Sequence, residues 1–385
     1  MIAAPALPHA DLSNWRTPPH SRWGFQHVAQ FIPCATIPHG PGAPWALPPA
    51  PRSLEAFKVE AWGRSYDLPA FMDATATDAL VVLLDGEIVH ESYAPRVDPA
   101  APHILMSMSK AVLGLVIGAL ARDGAIDLAA PIERLVPEVA GSAFAGASLR
   151  QLMDMRTGVA LDAAAQGAYA AASGWDAAAP GEAPANLHGF FPTVTGGKAH
   201  GGAFAYVSAN TDLLGWAIER ATGRPVAELY SDLLWRPLGA EADALITTDA
   251  LGAARCTGGV CAAARDVARM GRLVADGGRR DGRQVIPEAW IEDLWAAGDR
   301  QAWADGEFAP AFPGRAMRYR SGWYVIDDAP RTLFAMGVHG ENLFVDRERR
   351  LVIAKLASHG PAPFDFQTVS LTHLAAAEIR RVLVG

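Results

Sequence analysis

The sequence of 385 residues contains little cysteine, no long apolar run and no run of basic residues. Its three cysteines, Cys34, Cys256 and Cys261, cannot form a disulfide framework, and the pair in CTGGVC lacks the second pair of ligands that a zinc site requires. No segment reaches the roughly 18 continuous apolar residues of a membrane span, and the N-terminus has no signal-peptide pattern. We therefore expect three reduced thiols in a soluble, cytoplasmic protein without a membrane partner.

The charge balance argues against nucleic acid as a partner. The sequence has 41 acidic and 33 basic residues, which gives a net charge of −8, and the basic residues form no cluster that could bind phosphates. Half of the residues are hydrophobic and 11 are tryptophan, so the chain can bury a large core. Its length suits one large domain or two ordinary ones.

Local patterns predict a sheet whose strands come from both ends of the chain. Residues 1 to about 55 are rich in proline and suit an extended arm, and ALVVLLDGEIVHESYA predicts a β-hairpin that turns at Asp85-Gly86. Met106 to Ala121 predicts a buried central helix. Helical patterns fill residues 125–245 and β-rich segments return near the C-terminus. We predict an α/β (α+β) protein with an α/β domain at 1–124 and 246–385, a helical domain at 125–245, and a site between them.

The segment Ser107-Met108-Ser109-Lys110 stands at the start of that central helix. Residues three apart share a helix face, with β-carbons roughly 5–6 Å apart, so the Lys110 nitrogen can reach the Ser107 oxygen. A serine hydroxyl is a weak nucleophile until a base removes its proton, and a lysine can be that base if burial or nearby cations lower its pKa. The Ser-x-x-Lys pattern alone also fits a helix-capping serine with a lysine that extends to solvent.

A second motif is AYVSANTD, in which Tyr206 precedes a predicted helix that begins near Asn210. A tyrosine beside a lysine can exchange protons with a nucleophile and a leaving group, because the positive charge stabilises the phenolate. A core tyrosine is the plain alternative.

Together these motifs resemble the serine β-lactamase and penicillin-binding-protein superfamily, in which Ser-x-x-Lys is a signature. Tyr206-Val207-Ser208 is similar to the Tyr-x-Asn or Tyr-x-Ser motif of its class C β-lactamase and esterase branch. The blocks at 14–28, 204–212 and 337–346 most resemble the 6-aminohexanoate-dimer hydrolase (nylon-oligomer hydrolase) group. The resemblance extends from about residue 12 to the end of the sequence. It implies a β-lactamase/DD-peptidase-like fold, an antiparallel sheet flanked by helices plus a mostly helical insertion.

The resemblance also implies a set of roles. Ser107 corresponds to the nucleophile, Lys110 to the base and Tyr206 to the general acid and base. The backbone N–H groups of Ser107 and Val338 would form the oxyanion hole, and Ser208 would offer a hydrogen bond to substrate. No cofactor is implied.

Two departures from the family pattern bear on the substrate. The third box, Lys-Thr-Gly or His-Thr-Gly in the superfamily, is here Ala335-Met336-Gly337, which lacks the cation that holds a penicillin carboxylate. The loop 159–175 is about six residues shorter than in the nylon-oligomer hydrolases by this comparison. Ala170 takes the place of the aspartate that pairs with a substrate ammonium, and Trp175 is retained. Asp162 and Asp176 lie nearby in sequence.

These features predict a serine hydrolase of small carboxylic esters or linear amides, with esters favoured because their leaving groups need less protonation. A β-lactamase or D-amino peptidase, and a scaffold of the same fold without turnover, are the alternatives. Tyr169, Trp175 and His339 either line the site or belong to the core. No compact ligand set for a metal and no Gly-x-Ser-x-Gly elbow is present. A homodimer remains open.

Overall fold

The computed structural model describes residues 9–176, 186–360 and 366–385. The first eight residues of the predicted arm, and residues 177–185 of the Ala/Gly-rich stretch, lie outside the described residues. None of the described helices combines the length and the apolar character that crossing a bilayer requires.

The strands of the described residues form a large sheet, a smaller one and two short hairpins. In chain order they are β1 (Cys34–Ile37), β2 (Val59–Ala61), β3 (Arg64–Tyr66), β4 (Thr77–Leu84), β5 (Glu87–Tyr93), β6 (His103–Ile104), β7 (Ala244–Thr247), β8 (Val260–Ala262), β9 (Arg279–Arg280), β10 (Arg283–Gln284), β11 (Met317–Arg320), β12 (Trp323–Ile326), β13 (Thr332–Met336), β14 (Asn342–Asp346) and β15 (Leu351–Ala357).

The α-helices of the described residues are α1 (Ser21–Gly24), α2 (Leu68–Ala74), α3 (Ser109–Arg122), α4 (Leu149–Met153), α5 (Ala163–Ala172), α6 (Leu187–Phe190), α7 (Ser208–Thr222), α8 (Val226–Tyr230), α9 (Arg236–Leu238), α10 (Ala264–Ala275), α11 (Glu288–Ala296), α12 (Arg300–Ala304) and α13 (Phe366–Val384). A π-helical turn, Ser231–Trp235, joins α8 to α9. Short 3₁₀ turns occur at Val28–Gln30, Met106–Met108, Ile132–Arg134, Pro137–Val139, Phe191–Thr193 and Ala309–Ala311.

The large sheet has seven strands in the order β11-β12-β13-β14-β15-β4-β5, and all of its pairs are antiparallel. The predicted hairpin forms its edge, where Asp85 and Gly86 both have positive φ angles (52° and 81°), as a two-residue hairpin turn of this type requires. Because β4 also pairs with β15, strands from both ends of the chain meet in one sheet, as the sequence predicts.

Strand β4 shows why the sheet is buried on both faces. All eight of its residues are buried. Since side chains alternate along a strand, Val81 and Leu83 belong to the core that contains α3 and α10, while Leu80 and Val82 belong to a second core that contains α2 and α13. The sheet is therefore a central layer between helices, which confirms the predicted fold class.

The smaller sheet, in the order β1-β7-β8-β6, lies against the N-terminal arm. Trp15 and Phe25 of the arm are fully buried with Trp175 in a third apolar cluster. Most described elements between residues 125 and 243 are helical, and β7 begins at Ala244. The division into two domains stays a prediction.

Candidate active site

The predicted nucleophile lies in a tight turn rather than in the helix itself. Met106–Met108 forms a 3₁₀ turn and α3 begins at Ser109, so the prediction that the helix starts at Met106 is wrong by one turn. Met106 has a φ of 46°, a left-handed conformation that is costly for a residue with a side chain. This turn places Ser107 immediately before the N-terminus of the buried helix α3.

Lys110 is the immediate partner of Ser107. Its Nζ lies 2.8 Å from Ser107 Oγ and donates to the carbonyl of Thr257 at 3.0 Å. Lys110 is 3% exposed, and this burial lowers its pKa well below the ordinary value. The Asp212 carboxylate opposes that shift and the Arg255 cation adds to it. The lowered pKa favours the neutral amine, and the amine lies within hydrogen-bond distance of the Ser107 hydroxyl.

Tyr206 completes the group of three that the sequence predicts. The side chains of Ser107 and Tyr324 lie near its hydroxyl and lower its pKa, and Lys110 Nζ lies 4.7 Å from the centre of its ring. Burial raises the pKa of Tyr206 above its ordinary value. The phenol therefore keeps its proton at neutral pH, which suits a proton donor; the phenolate considered from sequence is disfavoured.

A buried network next to Lys110 is not predicted from the sequence. The Asp212 carboxylate accepts hydrogen bonds from Arg255 Nη1 at 2.5 Å, from the Thr257 N–H at 2.8 Å and from the Tyr169 hydroxyl. Asp212 stands on α7 one turn after Ser208, whereas Arg255 and Thr257 precede β8. No local pattern marks residues that are 43 positions apart as partners.

A cavity of about 300 Å³ opens above Ser107. Most of its wall is aromatic or apolar, and Arg255 is the one permanently charged side chain in the lining that the structure describes. The lining consists of Met106, Ser107, Trp175, Tyr206, Ser208, Arg255, Thr257, Gly258, Phe308, Tyr324, Met336, Gly337, Val338, Gly340, Asn342, His359, Thr368, Val369 and Thr372.

The turn after β13 brings Val338 to the mouth of this cavity. A β-carbon on Gly337 would lie 2.9 Å from both the Leu105 carbonyl oxygen and the Met106 β-carbon, so only glycine allows this close approach to the turn that carries Ser107. Neither the N–H of Ser107 nor that of Val338 donates to another described residue. Both are therefore available to an oxyanion.

Buried charged groups support this turn from behind. Glu341 accepts the His339 N–H at 3.1 Å, and Lys355 donates to the Gly340 carbonyl at 2.8 Å. Burial raises the pKa of Glu341 to about 7 and lowers the pKa of Lys355 to about 8. The Glu341 Oε1 atom is buried and has no hydrogen-bond partner.

The structure separates the predicted binding residues into two groups. Val338, Ser208 and Trp175 line the cavity. Tyr169 and His339 do not: the Tyr169 hydroxyl binds Asp212, and His339 Nδ1 bonds to the His359 carbonyl at 2.7 Å while its ring packs on Phe25. Burial lowers the pKa of His339 to about 4, so it is neutral. These positions fit the core alternative for both residues.

The two aspartates considered near the shortened loop are also engaged elsewhere. Asp162 caps α5 through the Ala165 N–H at 2.8 Å, and Asp176 forms an ion pair with Arg16. The described cavity lining contains no aspartate or glutamate. Within the described ranges, no group of three or more potential ligands could hold a metal ion.

Comparison with known proteins agrees with this architecture. The β-lactamase family model matches residues 68–378. The chain belongs to the β-lactamase family. It is 36% identical over 353 residues to the 6-aminohexanoate-dimer hydrolase of Paenarthrobacter ureafaciens, a match that covers 90% of this chain and 88% of that protein. This confirms the family resemblance drawn from the sequence and makes the chain a β-lactamase-family hydrolase related to that enzyme.

Solved structures extend the comparison. A structure from Bacillus anthracis that bears the name of a 6-aminohexanoate-dimer hydrolase superposes with a TM-score of 0.89 at 25% identity and covers 99% of both chains. A family VIII carboxylesterase superposes with a TM-score of 0.59 at 18% identity and covers 80% of this chain and 95% of that one. The second likeness is one of fold.

Proposed function

We propose that this protein is a serine hydrolase that cleaves small carboxylic esters, and linear amides less readily, through an acyl-enzyme on Ser107. The observation that carries the proposal is the 2.8 Å approach of the buried Lys110 Nζ to Ser107 Oγ at the base of a cavity. A serine without a base within hydrogen-bond reach would remain a poor nucleophile. The relative at 36% identity is named as a hydrolase of 6-aminohexanoate dimer, which supports the same reaction class.

In the proposed reaction, the Lys110 amine accepts the Ser107 proton as Oγ attacks the substrate carbonyl. The N–H groups of Ser107 and Val338 stabilise the oxyanion of the tetrahedral intermediate. The Tyr206 phenol protonates the leaving alcohol or amine, and the Lys110 ammonium then returns its proton to the Tyr206 phenolate. Water releases the acyl group by the reverse sequence of proton transfers.

The preference for esters rests on the composition of the cavity. No carboxylate in the described lining can pair with a substrate ammonium, and Arg255 would repel one. Aromatic and aliphatic side chains instead suit an apolar acyl group. Met336 and Gly337 stand where the superfamily places its cationic box, so a penicillin carboxylate finds no lysine there.

A substrate panel tests this proposal. Initial rates would be measured for nitrophenyl esters of short acids, for 6-aminohexanoate dimer and for a chromogenic cephalosporin. We expect kcat/KM to be highest for the esters and to fall at least roughly 10³-fold in Ser107→Ala. Cephalosporin turnover as fast as ester turnover would overturn the ester preference.

Fluorophosphonate labelling separates an enzyme from a scaffold. The intact mass should increase by one adduct in the wild type and stay unchanged in Ser107→Ala. Ser109→Ala is the matched control, because Ser109 is fully buried and its Oγ accepts the Val260 N–H at 3.1 Å. It should label like the wild type. If neither turnover nor an adduct occurs in the wild type, the scaffold alternative holds.

A further inference from the structure

An ion pair lies behind Lys110 that the proposed reaction does not use. Arg255 Nη1 and Asp212 Oδ2 are 2.5 Å apart, and their side chains are 8% and 0% exposed. The guanidinium carbon also lies 4.4 Å from the centre of the Tyr169 ring and 5.1 Å from that of the Trp175 ring. Two aromatic faces and one carboxylate thus hold the cation in place.

The ion pair is connected to Lys110 through one residue. The second Asp212 oxygen accepts the N–H of Thr257, and the carbonyl of Thr257 accepts the hydrogen bond from Lys110 Nζ. Asp212 therefore fixes the backbone that orients the amine. The same carboxylate, left alone in a buried site, would favour the ammonium form of Lys110 and remove the base.

The other titratable groups around Lys110 are uncharged or have little effect on its pKa. Tyr206 lines the main cavity, Tyr319 of β11 lines a small cavity together with Lys110, and Tyr324 of β12 lies near Tyr206. Burial raises the pKa of all three, so they stay uncharged. Glu307 binds the Tyr206 backbone N–H. Asp212 and Arg255 are the charged groups, among the described residues, that act directly on Lys110.

We propose that Arg255 is a positioning residue that keeps Lys110 in its amine form by balancing the charge of Asp212, while Asp212 holds the Thr257 carbonyl against the amine. This inference rests on the proposed function, since it assigns the tuning of the same base. It predicts that the charge of residue 255, and not merely its volume, sets the pH range in which Ser107 is reactive.

The rate of fluorophosphonate labelling of Ser107, measured from pH 5 to pH 10, tests the inference. In Arg255→Met the unbalanced Asp212 raises the pKa of Lys110, so the acid limb of the profile should move to higher pH by about one unit, which is a roughly tenfold slower rate on that limb that recovers at high pH. Arg255→Lys keeps the charge and should keep the limb near the wild-type position.

Arg269→Met is the matched control. It also removes a buried arginine from an aspartate, since Arg269 Nη1 and Asp266 Oδ1 are 2.7 Å apart with 4% and 0% side-chain exposure. Neither residue acts on Lys110. The control should lose stability without moving the acid limb. A limb that shifts equally in Arg269→Met and Arg255→Met would overturn the inference.

Asp212→Asn tests a shift of the Lys110 pKa in the opposite direction. It also provides a test if Arg255→Met does not fold. Removing the carboxylate leaves the Arg255 cation unbalanced, so the pKa of Lys110 should fall and the acid limb should move to lower pH. An unchanged limb in either variant contradicts the inference while the function stands. A wild-type enzyme that is not labelled at Ser107 at any pH contradicts the proposed function itself.

Discussion

Two buried polar clusters lie near Ser107, and their carboxylates differ in how they are paired. We call Asp212, Arg255 and Tyr169 the lysine-side cluster, and Glu341 and Lys355 the turn-side cluster. In the first, the carboxylate accepts three hydrogen bonds, one of them from a guanidinium. In the second, one carboxyl oxygen has no partner, and the pKa of Glu341 rises to about 7.

The difference follows from the partner that each carboxylate meets. Asp212 meets an arginine, whose guanidinium does not lose its proton. The Lys355 amine instead donates to the Gly340 carbonyl. Because burial lowers its pKa to about 8, it loses its proton more readily than an exposed lysine. The lysine-side cluster thus keeps a permanent cation near Lys110. The turn-side cluster can change its charge near neutral pH.

The largest expected effect compares removal of the two carboxylates. Asp212→Ala leaves Arg255 buried without its counter-ion and should reduce the free energy of unfolding by about 3–5 kcal/mol. Glu341→Ala removes a group that can be neutral and should cost about 1–3 kcal/mol. Urea denaturation at pH 6 measures both. Equal losses would mean that the two clusters do not differ in the way described.

The next largest effect concerns the backbone N–H of Val338, in the turn after β13 that lines the cavity. Val338→Pro removes this donor and should lower kcat for a nitrophenyl ester roughly 10²- to 10³-fold. Val338→Ala keeps the N–H and trims a side chain that is 45% exposed, so it should retain most of kcat and change mainly KM. Steady-state kinetics distinguish the two. A similar loss in both variants would assign the effect to the side chain.

A smaller effect is the pH dependence that Glu341 confers on stability. Its pKa is about 7 in the folded chain against an ordinary value of 4.5, so the folded chain holds a proton that the unfolded chain releases between these values. Stability therefore falls as pH rises through this window. From pH 5 to pH 8 the wild type should lose roughly 2–3 kcal/mol more than Glu341→Gln. Parallel pH profiles would show that Glu341 does not titrate there.

The smallest expected effect is that of Tyr169→Phe. This change removes one of three hydrogen bonds to Asp212 and should cost about 1–2 kcal/mol of stability. KM for esters should stay unchanged, because Tyr169 does not line the cavity. Thermal unfolding and steady-state kinetics check both statements. A large rise in KM with normal stability would show that Tyr169 contributes to substrate binding.

Local chemistry made part of this structure predictable. Asp85-Gly86 encodes its hairpin turn, and the three-residue spacing of Ser107 and Lys110 does bring their side chains within hydrogen-bond distance. The predicted start of α3 was wrong because Met106–Met108 forms a tighter 3₁₀ turn, which its sequence does not indicate. Turns and short spacings are encoded locally, whereas a strained turn depends on tertiary contacts.

The supporting clusters were beyond prediction from sequence for the same reason. Arg255 meets Asp212 through tertiary packing across 43 positions of the chain, and nothing near either residue in the sequence signals the pairing. Tyr169 was considered as a cavity residue on its position in the loop, but its hydroxyl points to Asp212. Family resemblance predicted the reacting groups, whereas tertiary packing determines which side chains surround them.

The central claim is that Ser107 forms the acyl-enzyme, and acid-quench mass spectrometry tests it most directly. Enzyme mixed with a slowly hydrolysed nitrophenyl ester would be quenched within the first turnover, digested and mapped. We expect one acyl group on the peptide that contains Ser107, and none in Ser107→Ala. Rapid ester hydrolysis with no acyl-enzyme, or with the acyl group on another residue such as Ser109, would contradict it.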